Sequence, residues 1–262
     1  MDPDCHKHYH VHEYNPKALL TTYFSPDLDK TLYEHITLFP IRTLLKLVSS
    51  GKISGTTLID YSAGPFICHL VPICKYFKEI ILLEENDCSI KETENWWHGK
   101  EEAFDWSHIS DCFTGLEADS ENWIEKEESL KCKIRYILKC DLSKENPTDP
   151  VVLPKADCLM SFFCIQNISK DKKSFCENMR KFSTFLNVGG HLLMLGAFNE
   201  KFFTIGEHRF YTLSYDEVFL RETVEDTGFT IEHVEILDSR VANDITEYDQ
   251  LYLISAIKVK EV

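Results

Sequence analysis

Short, near-continuous apolar runs alternate along this chain with segments of helical periodicity, and that alternation limits the fold more than any other feature. TTLIDYS (56–62) leads into an apolar helix ending near Tyr76 and Phe77. EIILLE (79–84) follows, then a helix through Glu92 to Trp97. After an acidic, loop-rich insertion come KIRYILKCD (133–141) and KADCLMSFF (155–163). A helix over about Asp171 to Leu186 is expected to stop at Asn187-Val188-Gly189-Gly190. HLLMLGA (191–197), a helix near Tyr215 to Thr227, TIEHVEILD (230–238) and QLYLISAIKVK (250–260) complete the chain. Apolar strands separated by helices predict an α/β fold: a buried, mostly parallel sheet covered on both faces. The last two strands leave no room for a crossover helix, so they are expected to pair antiparallel. With no internal repeat and no Pro/Gly/Ser linker, residues 1–262 read as a single domain. HITLFPIRTLLKLVSS (35–50) shows helical spacing interrupted at Pro40.

Charge and cysteine usage narrow the function. A net charge of −15 opposes binding to nucleic acid or to an anionic membrane surface, both of which need clustered Lys and Arg. No run of apolar residues is long enough to span a bilayer, and the N-terminus lacks the apolar stretch of a signal peptide. The ten cysteines form no C-x-x-C pair and read as reduced, buried thiols. A cytoplasmic monomer acting on a small molecule is expected. His6, His8, His10 and His12 alternate, but without a second ligand cluster they read as exposed side chains, and no metal is expected.

In such a sheet ligands bind at the carboxyl ends of the strands, near the point where strand order reverses. Acids collect there: Asp60, Glu84 and Asp141 end the first three strands. An acid at the end of the second strand suits a ribose diol, although each acid taken singly also reads as a turn residue or helix cap. The loop LIDYSAGPF (58–66) has one glycine and no basic residue, so it is not a pyrophosphate-binding fingerprint. S-adenosylmethionine, with a ribose, an adenine and a sulfonium cation, is the better match.

Several separated segments resemble the family of nicotinamide, phenylethanolamine and indolethylamine N-methyltransferases. They are YNPKALLTTYF (14–24), LIDYSAGP (58–65), FKEIILLE (77–84), EAFDWS (102–107), LKCDLS (138–143), ADCLMS (156–161), LNVGGHLLML (186–195) and FTIGEHRF (203–210). The resemblance implies a class I S-adenosylmethionine-dependent methyltransferase fold with a seven-stranded sheet and with residues 1–50 as an N-terminal lid. It implies N-methylation of a small amine or heteroaromatic; sulfur methylation of a thioether, or a degenerate non-catalytic member, are the alternatives. The cofactor contacts it implies are Tyr23, Phe24, Asp60, Ser62, Ala63, Gly64, Glu84, Ser89, Asp141, Leu142 and Phe162. No catalytic residue is assigned, because holding the acceptor in line with the sulfonium methyl is the main requirement.

The family pattern is not intact. Ser62 and Ala63 stand where the family has glycine then serine, Phe66 where it has threonine, and Cys68 where it has tyrosine. Leu19 and Phe24 replace lid tyrosines, Glu84 replaces aspartate, and Ser89 replaces asparagine. If position 62 needs a positive φ, Ser62 costs on the order of 1–2 kcal/mol. The acceptor wall is expected from Tyr23, Phe162, Phe163, Phe203 and Thr212. Gly196 and Gln166 stand where nicotinamide-methylating members carry acids, leaving an acid-poor pocket. Glu200, the one nearby acid, reads as a solvated loop charge.

Overall fold

The computed structural model describes residues 7–9, 12, 14–109, 113 and 122–262. Its strands are β1 (Gly55–Asp60), β2 (Phe77–Glu84), β3 (Ile134–Lys139), β4 (Ala156–Phe162), β5 (Leu186–Phe198), β6 (Phe202–Ile205), β7 (His208–Phe210), β8 (Phe229–Leu237), β9 (Val241–Ala242), β10 (Thr246–Tyr248) and β11 (Gln250–Lys258). Seven of them form one sheet in the order β3-β2-β1-β4-β5-β11-β8. β1 to β5 run parallel, and β11 inserts antiparallel between β5 and β8. The expected C-terminal antiparallel pair is therefore present, with Ile254 opposite Val234. Leu58, Ile59, Leu159, Leu192 and Leu253 are almost fully buried, as strands covered on both faces require. Strand order reverses between β1 and β4, so the ligand crevice falls at the ends of these two strands, beside Asp60 and Phe162.

A second, antiparallel sheet of β7, β6, β10 and β9 stands beside the crevice. The alternation of apolar runs does not announce it, because its strands are only two to four residues long.

The helices are α1 (Pro16–Phe24), α2 (Lys30–Leu32), α3 (Phe39–Ser49), α4 (Ile67–Cys74), α5 (Asp87–Trp97), α6 (Trp123–Lys133), α7 (Ile165–Ile168), α8 (Lys172–Thr184) and α9 (Glu217–Asp226). Asn15 caps α1, its side chain accepting from the Lys17 and Ala18 amides, with Pro16 in the first turn. Pro40 does not end the helical run; it lies in the first turn of α3, after a π-helical segment over Tyr33–Leu38. An α-helix would pair the Ile36 carbonyl with the amide of residue 40, which proline lacks. His69 Nε2 fills that role at 2.8 Å. Burial lowers the His69 pKa to about 4, so its ring is neutral.

The run from Asn187 to Gly190 belongs to β5 rather than to a stop signal. α8 ends earlier, where the Phe185 amide closes on the Phe182 and Ser183 carbonyls. The β4–β5 pairing shifts register opposite this run, between Ala156 and Cys158, which absorbs the glycines into the strand.

The EAFDWS segment anchors α1. Trp106 meets Phe24 edge-on at 5.2 Å and Phe104 at 4.9 Å, while Glu92 accepts from the Phe104 amide at 2.9 Å. Lys17 donates to the Glu102 carbonyl. This motif holds α1 over the crevice.

Candidate active site

β1 delivers Asp60 to the crevice, and the loop after it turns at Gly64. Asp60 is buried, and Ser62 Oγ donates to its Oδ1 at 2.5 Å. Ser62 also accepts from the Phe162 amide at 3.1 Å, tying the end of β1 to the end of β4. In this loop only Gly64 has a positive φ, +101°. The cost expected for serine at 62 therefore does not arise, and Ser62 instead satisfies two buried groups. Burial raises the Asp60 pKa to about 7 despite that hydrogen bond. A Cβ built on Gly64 would lie 2.6 Å from Leu19 Cδ2, so the lid presses directly on the loop.

β2 delivers Glu84, which is buried. Its Oε1 accepts from the Glu85 amide at 2.8 Å and the Asn86 amide at 3.1 Å. Tyr9 Oη donates to both carboxylate oxygens, each at 3.2 Å. Tyr14 Oη donates to Tyr9 Oη at 2.8 Å and lies 2.5 Å from Ser89 Oγ. Burial raises the Glu84 pKa to about 8. After β3, Asp141 accepts from the Ser143 amide at 2.9 Å and its hydroxyl at 2.6 Å, which hold this half-buried carboxyl below its usual range. Asp141 and Leu142 line an outer groove with Glu85 and Cys140.

The inner cavity is lined by Tyr9, Leu19, Tyr23, Ala63, Phe66, Phe163, Asn167, Glu200, Phe203 and Tyr248, among others. It holds only about 40 Å³, little more than one water molecule's share of liquid volume. Tyr23 Oη accepts from the Thr204 amide at 3.2 Å, fixing the lid to β6. Phe163 sits at φ 54°, a left-handed conformation that turns it toward the cavity. Phe162 and Phe24 take other places. Phe162 is wholly buried against His69, and Phe24 packs on Phe66, His69 and Trp106, so both are core side chains rather than cavity walls.

Glu200 is the principal correction to the sequence analysis. It is 5% exposed and lies in the cavity wall, so it is not a solvated loop charge. Thr212 Oγ1 donates to its Oε2 at 3.0 Å, and Thr246 Oγ1 lies 3.5 Å from Oε1. Burial raises its pKa to about 7. Thr212 therefore acts on the cavity through Glu200. Asn167 donates to the Phe163 carbonyl at 2.5 Å and leaves its buried Oδ1 unpaired in the same wall. Gly196 faces away from this cavity: a Cβ there would meet Tyr252 Oη at 2.5 Å and Tyr215 Oη at 3.0 Å.

Sequence reasoning missed Tyr9, Tyr248 and Asn167 as cavity residues, and nothing in their local pattern marks them. Among the described residues no group of three or more His, Cys, Asp or Glu side chains is placed to hold a metal; His6 and His10 lie outside those residues. Nor is any helix among them long and apolar enough to cross a membrane.

A seven-stranded sheet with an antiparallel sixth position, acids at successive strand ends and a crevice beneath α1 define a class I S-adenosylmethionine-dependent methyltransferase. The fold matches that of magnesium protoporphyrin IX methyltransferase from Synechocystis with a TM-score of 0.56 at 9% identity, covering 92% of this chain and 93% of that one. Residues 4–259 match the NNMT/PNMT/TEMT family, and the chain belongs to it. It is 29% identical to nicotinamide N-methyltransferase of Homo sapiens over 250 residues, 95% of each chain. It is 28% identical to phenylethanolamine N-methyltransferase of Macaca mulatta over 252 residues, 94% of this chain and 89% of that one.

Proposed function

We propose that this S-adenosylmethionine-dependent N-methyltransferase acts on a small protonatable amine anchored by Glu200. The observation that carries the reading is the polarity of the inner cavity. Among the lining residues the under-satisfied polar atoms are acceptors, Glu200 Oε1 with one long threonine contact and Asn167 Oδ1 with none. Behind them the neutral Gln166 amide also interacts with Glu200. The groups around Glu200 are threonine hydroxyls and the Gln166 amide, none of them a cation. A buried carboxylate without a countercharge is costly, and an entering ammonium ion offsets that cost. The remaining walls are aromatic or aliphatic, suited to an apolar body behind the nitrogen. A thioether offers neither a charge nor a donor to these acceptors.

The strand-end groups fit the cofactor. Glu84, oriented by two backbone amides, is placed to receive a ribose diol. Asp141, held ionised by Ser143, is placed to accept from an adenine amino group. Gly64 keeps clear a loop position that any side chain would fill. S-adenosylmethionine supplies an electrophilic methyl on a sulfonium sulfur.

The chain's own task is to present a free nitrogen lone pair. Ionised Glu200 draws the ammonium into the cavity; a nitrogen–hydrogen bond then breaks and the proton passes to a Glu200 oxygen. A pKa near 7 keeps that carboxylate available as acceptor at neutral pH. Tyr23 and Phe203 flank the acceptor and exclude water. The eight described cysteines are all free, which supports a reducing, cytoplasmic setting. The test is steady-state methylation of a panel of aliphatic amines, pyridines and thioethers. Amines should give the highest kcat/KM, and a thioether or nicotinamide at the head of the panel would overturn the reading.

A further inference from the structure

The N-terminal segment makes a set of contacts that methyl transfer does not call for. Tyr9 is 1% exposed, and its hydroxyl spans both oxygens of Glu84 at 3.2 Å. Tyr14 bonds the same hydroxyl and reaches Ser89. The two rings lie 5.2 Å apart and pack as one unit. The strap is also pinned from outside, where the Lys7 amide donates to the Arg209 carbonyl at 3.0 Å and the Tyr211 amide to the Lys7 carbonyl at 2.7 Å. Three positions at which the resemblance implies cofactor contact are thereby covered: Glu84 by Tyr9, Ser89 by Tyr14 and Gly64 by Leu19.

The geometry has a consequence for ligand entry. A phenol hydroxyl bridging two carboxylate oxygens offers the donor that one hydroxyl of a ribose diol would offer. Tyr9 also lines the inner cavity, while Asp141 and Leu142 line the outer groove of about 720 Å³. Tyr9 and Tyr14 thus stand at Glu84, between an open adenine-side groove and a nearly filled acceptor-side cavity.

We infer that the strap bearing Tyr9 and Tyr14 is a built-in competitor for the ribose-binding carboxylate, so that cofactor entry requires Tyr9 to leave Glu84. The inference rests on Glu84 being the ribose anchor. Burial raises the pKa of Glu84 to about 8, while the Tyr9 hydrogen bond acts the other way and favours the ionised carboxylate. The device sets a threshold on cofactor concentration, because the free energy of the closed strap is subtracted from binding.

Calorimetric titration with S-adenosylhomocysteine tests this on the wild-type protein, Tyr9→Phe and Tyr9→Ala, each checked for cooperative melting. Tyr9→Phe keeps the ring and loses the hydroxyl; it should bind about 3- to 10-fold more tightly, and Tyr9→Ala at least as tightly. A tyrosine that contacts bound cofactor would give the opposite sign, so weaker binding by both variants overturns the inference. Equal binding by all three proteins also overturns it while leaving the cofactor reading in place. Binding by none removes the cofactor reading and the competitor with it. Limited proteolysis of the wild-type protein gives a second readout: added S-adenosylhomocysteine should speed cleavage between residues 7 and 14, and unchanged or slower cleavage counts against the strap.

Discussion

The Thr212 hydroxyl donates to Glu200 Oε2 at 3.0 Å, fixing a buried carboxylate in the cavity wall with its other oxygen nearly free. Twelve residues separate the two in sequence, and the β6–β7 hairpin folds them together. Glu200→Gln should therefore lower kcat/KM for amine acceptors by about 10- to 100-fold, the loss of a charge-assisted contact. The dissociation constant for S-adenosylhomocysteine should stay within about twofold. The wild-type kcat/KM should rise with pH through about 7 as Glu200 ionises, and the variant should lose that limb.

Stability should move the other way with pH. Burial raises Asp60 and Glu200 to about 7 and Glu84 to about 8, so the folded protein keeps protons that the unfolded chain releases near pH 3.8 for the aspartate and 4.5 for the glutamates. Where the folded state holds more protons, unfolding becomes easier as pH rises. The stabilisation is complete below the unfolded carboxylate pKa and is lost through pH 7 to 8. Each group contributes on the order of 3–5 kcal/mol at most. Calorimetric melting should give a lower Tm at pH 8.5 than at pH 5.5, and Glu200→Gln should flatten the slope.

Gly196→Asp should not convert the site into a carboxamide binder. Tyr252 and Tyr215, their hydroxyls 2.6 Å apart, occupy the space a side chain would need. Overpacking and burial of an unpaired charge together predict a loss of about 2–4 kcal/mol in denaturant unfolding. Nicotinamide should remain a poor acceptor of the wild-type enzyme and of any folded variant. A variant of wild-type stability that methylates nicotinamide would show that these tyrosines yield.

Glu84→Ala removes the carboxylate that the Glu85 and Asn86 amides orient. S-adenosylhomocysteine affinity should fall at least about tenfold by calorimetry. The loss should exceed that of Glu84→Gln, which keeps an acceptor oxygen in place, and freeing Tyr9 should offset only part of it.

What the sequence by itself determined is the scaffold and the addresses of its ligand-facing ends. Apolar runs such as Ile80 to Leu83 are buried on both faces whatever surrounds them, so they declare a parallel sheet, and the strand-end acids Asp60 and Glu84 follow from where those runs stop. The C-terminal antiparallel pair was legible because its connection is too short for a crossover. Only the tertiary structure decided what those acids meet. Glu200 reads as a solvent-exposed loop charge, yet it is buried because Thr212, just after β7, and Thr246, in β10, arrive from separate segments to satisfy it. Tyr9 sits in a histidine-rich terminus with no periodicity, and its role exists only through a partner 75 residues away. Ser62 reads as a damaged glycine position but serves as a link between two strand ends. Burial of a strand depends on its own side chains, whereas the charge state and partners of a pocket residue depend on several chain segments that converge only when folded.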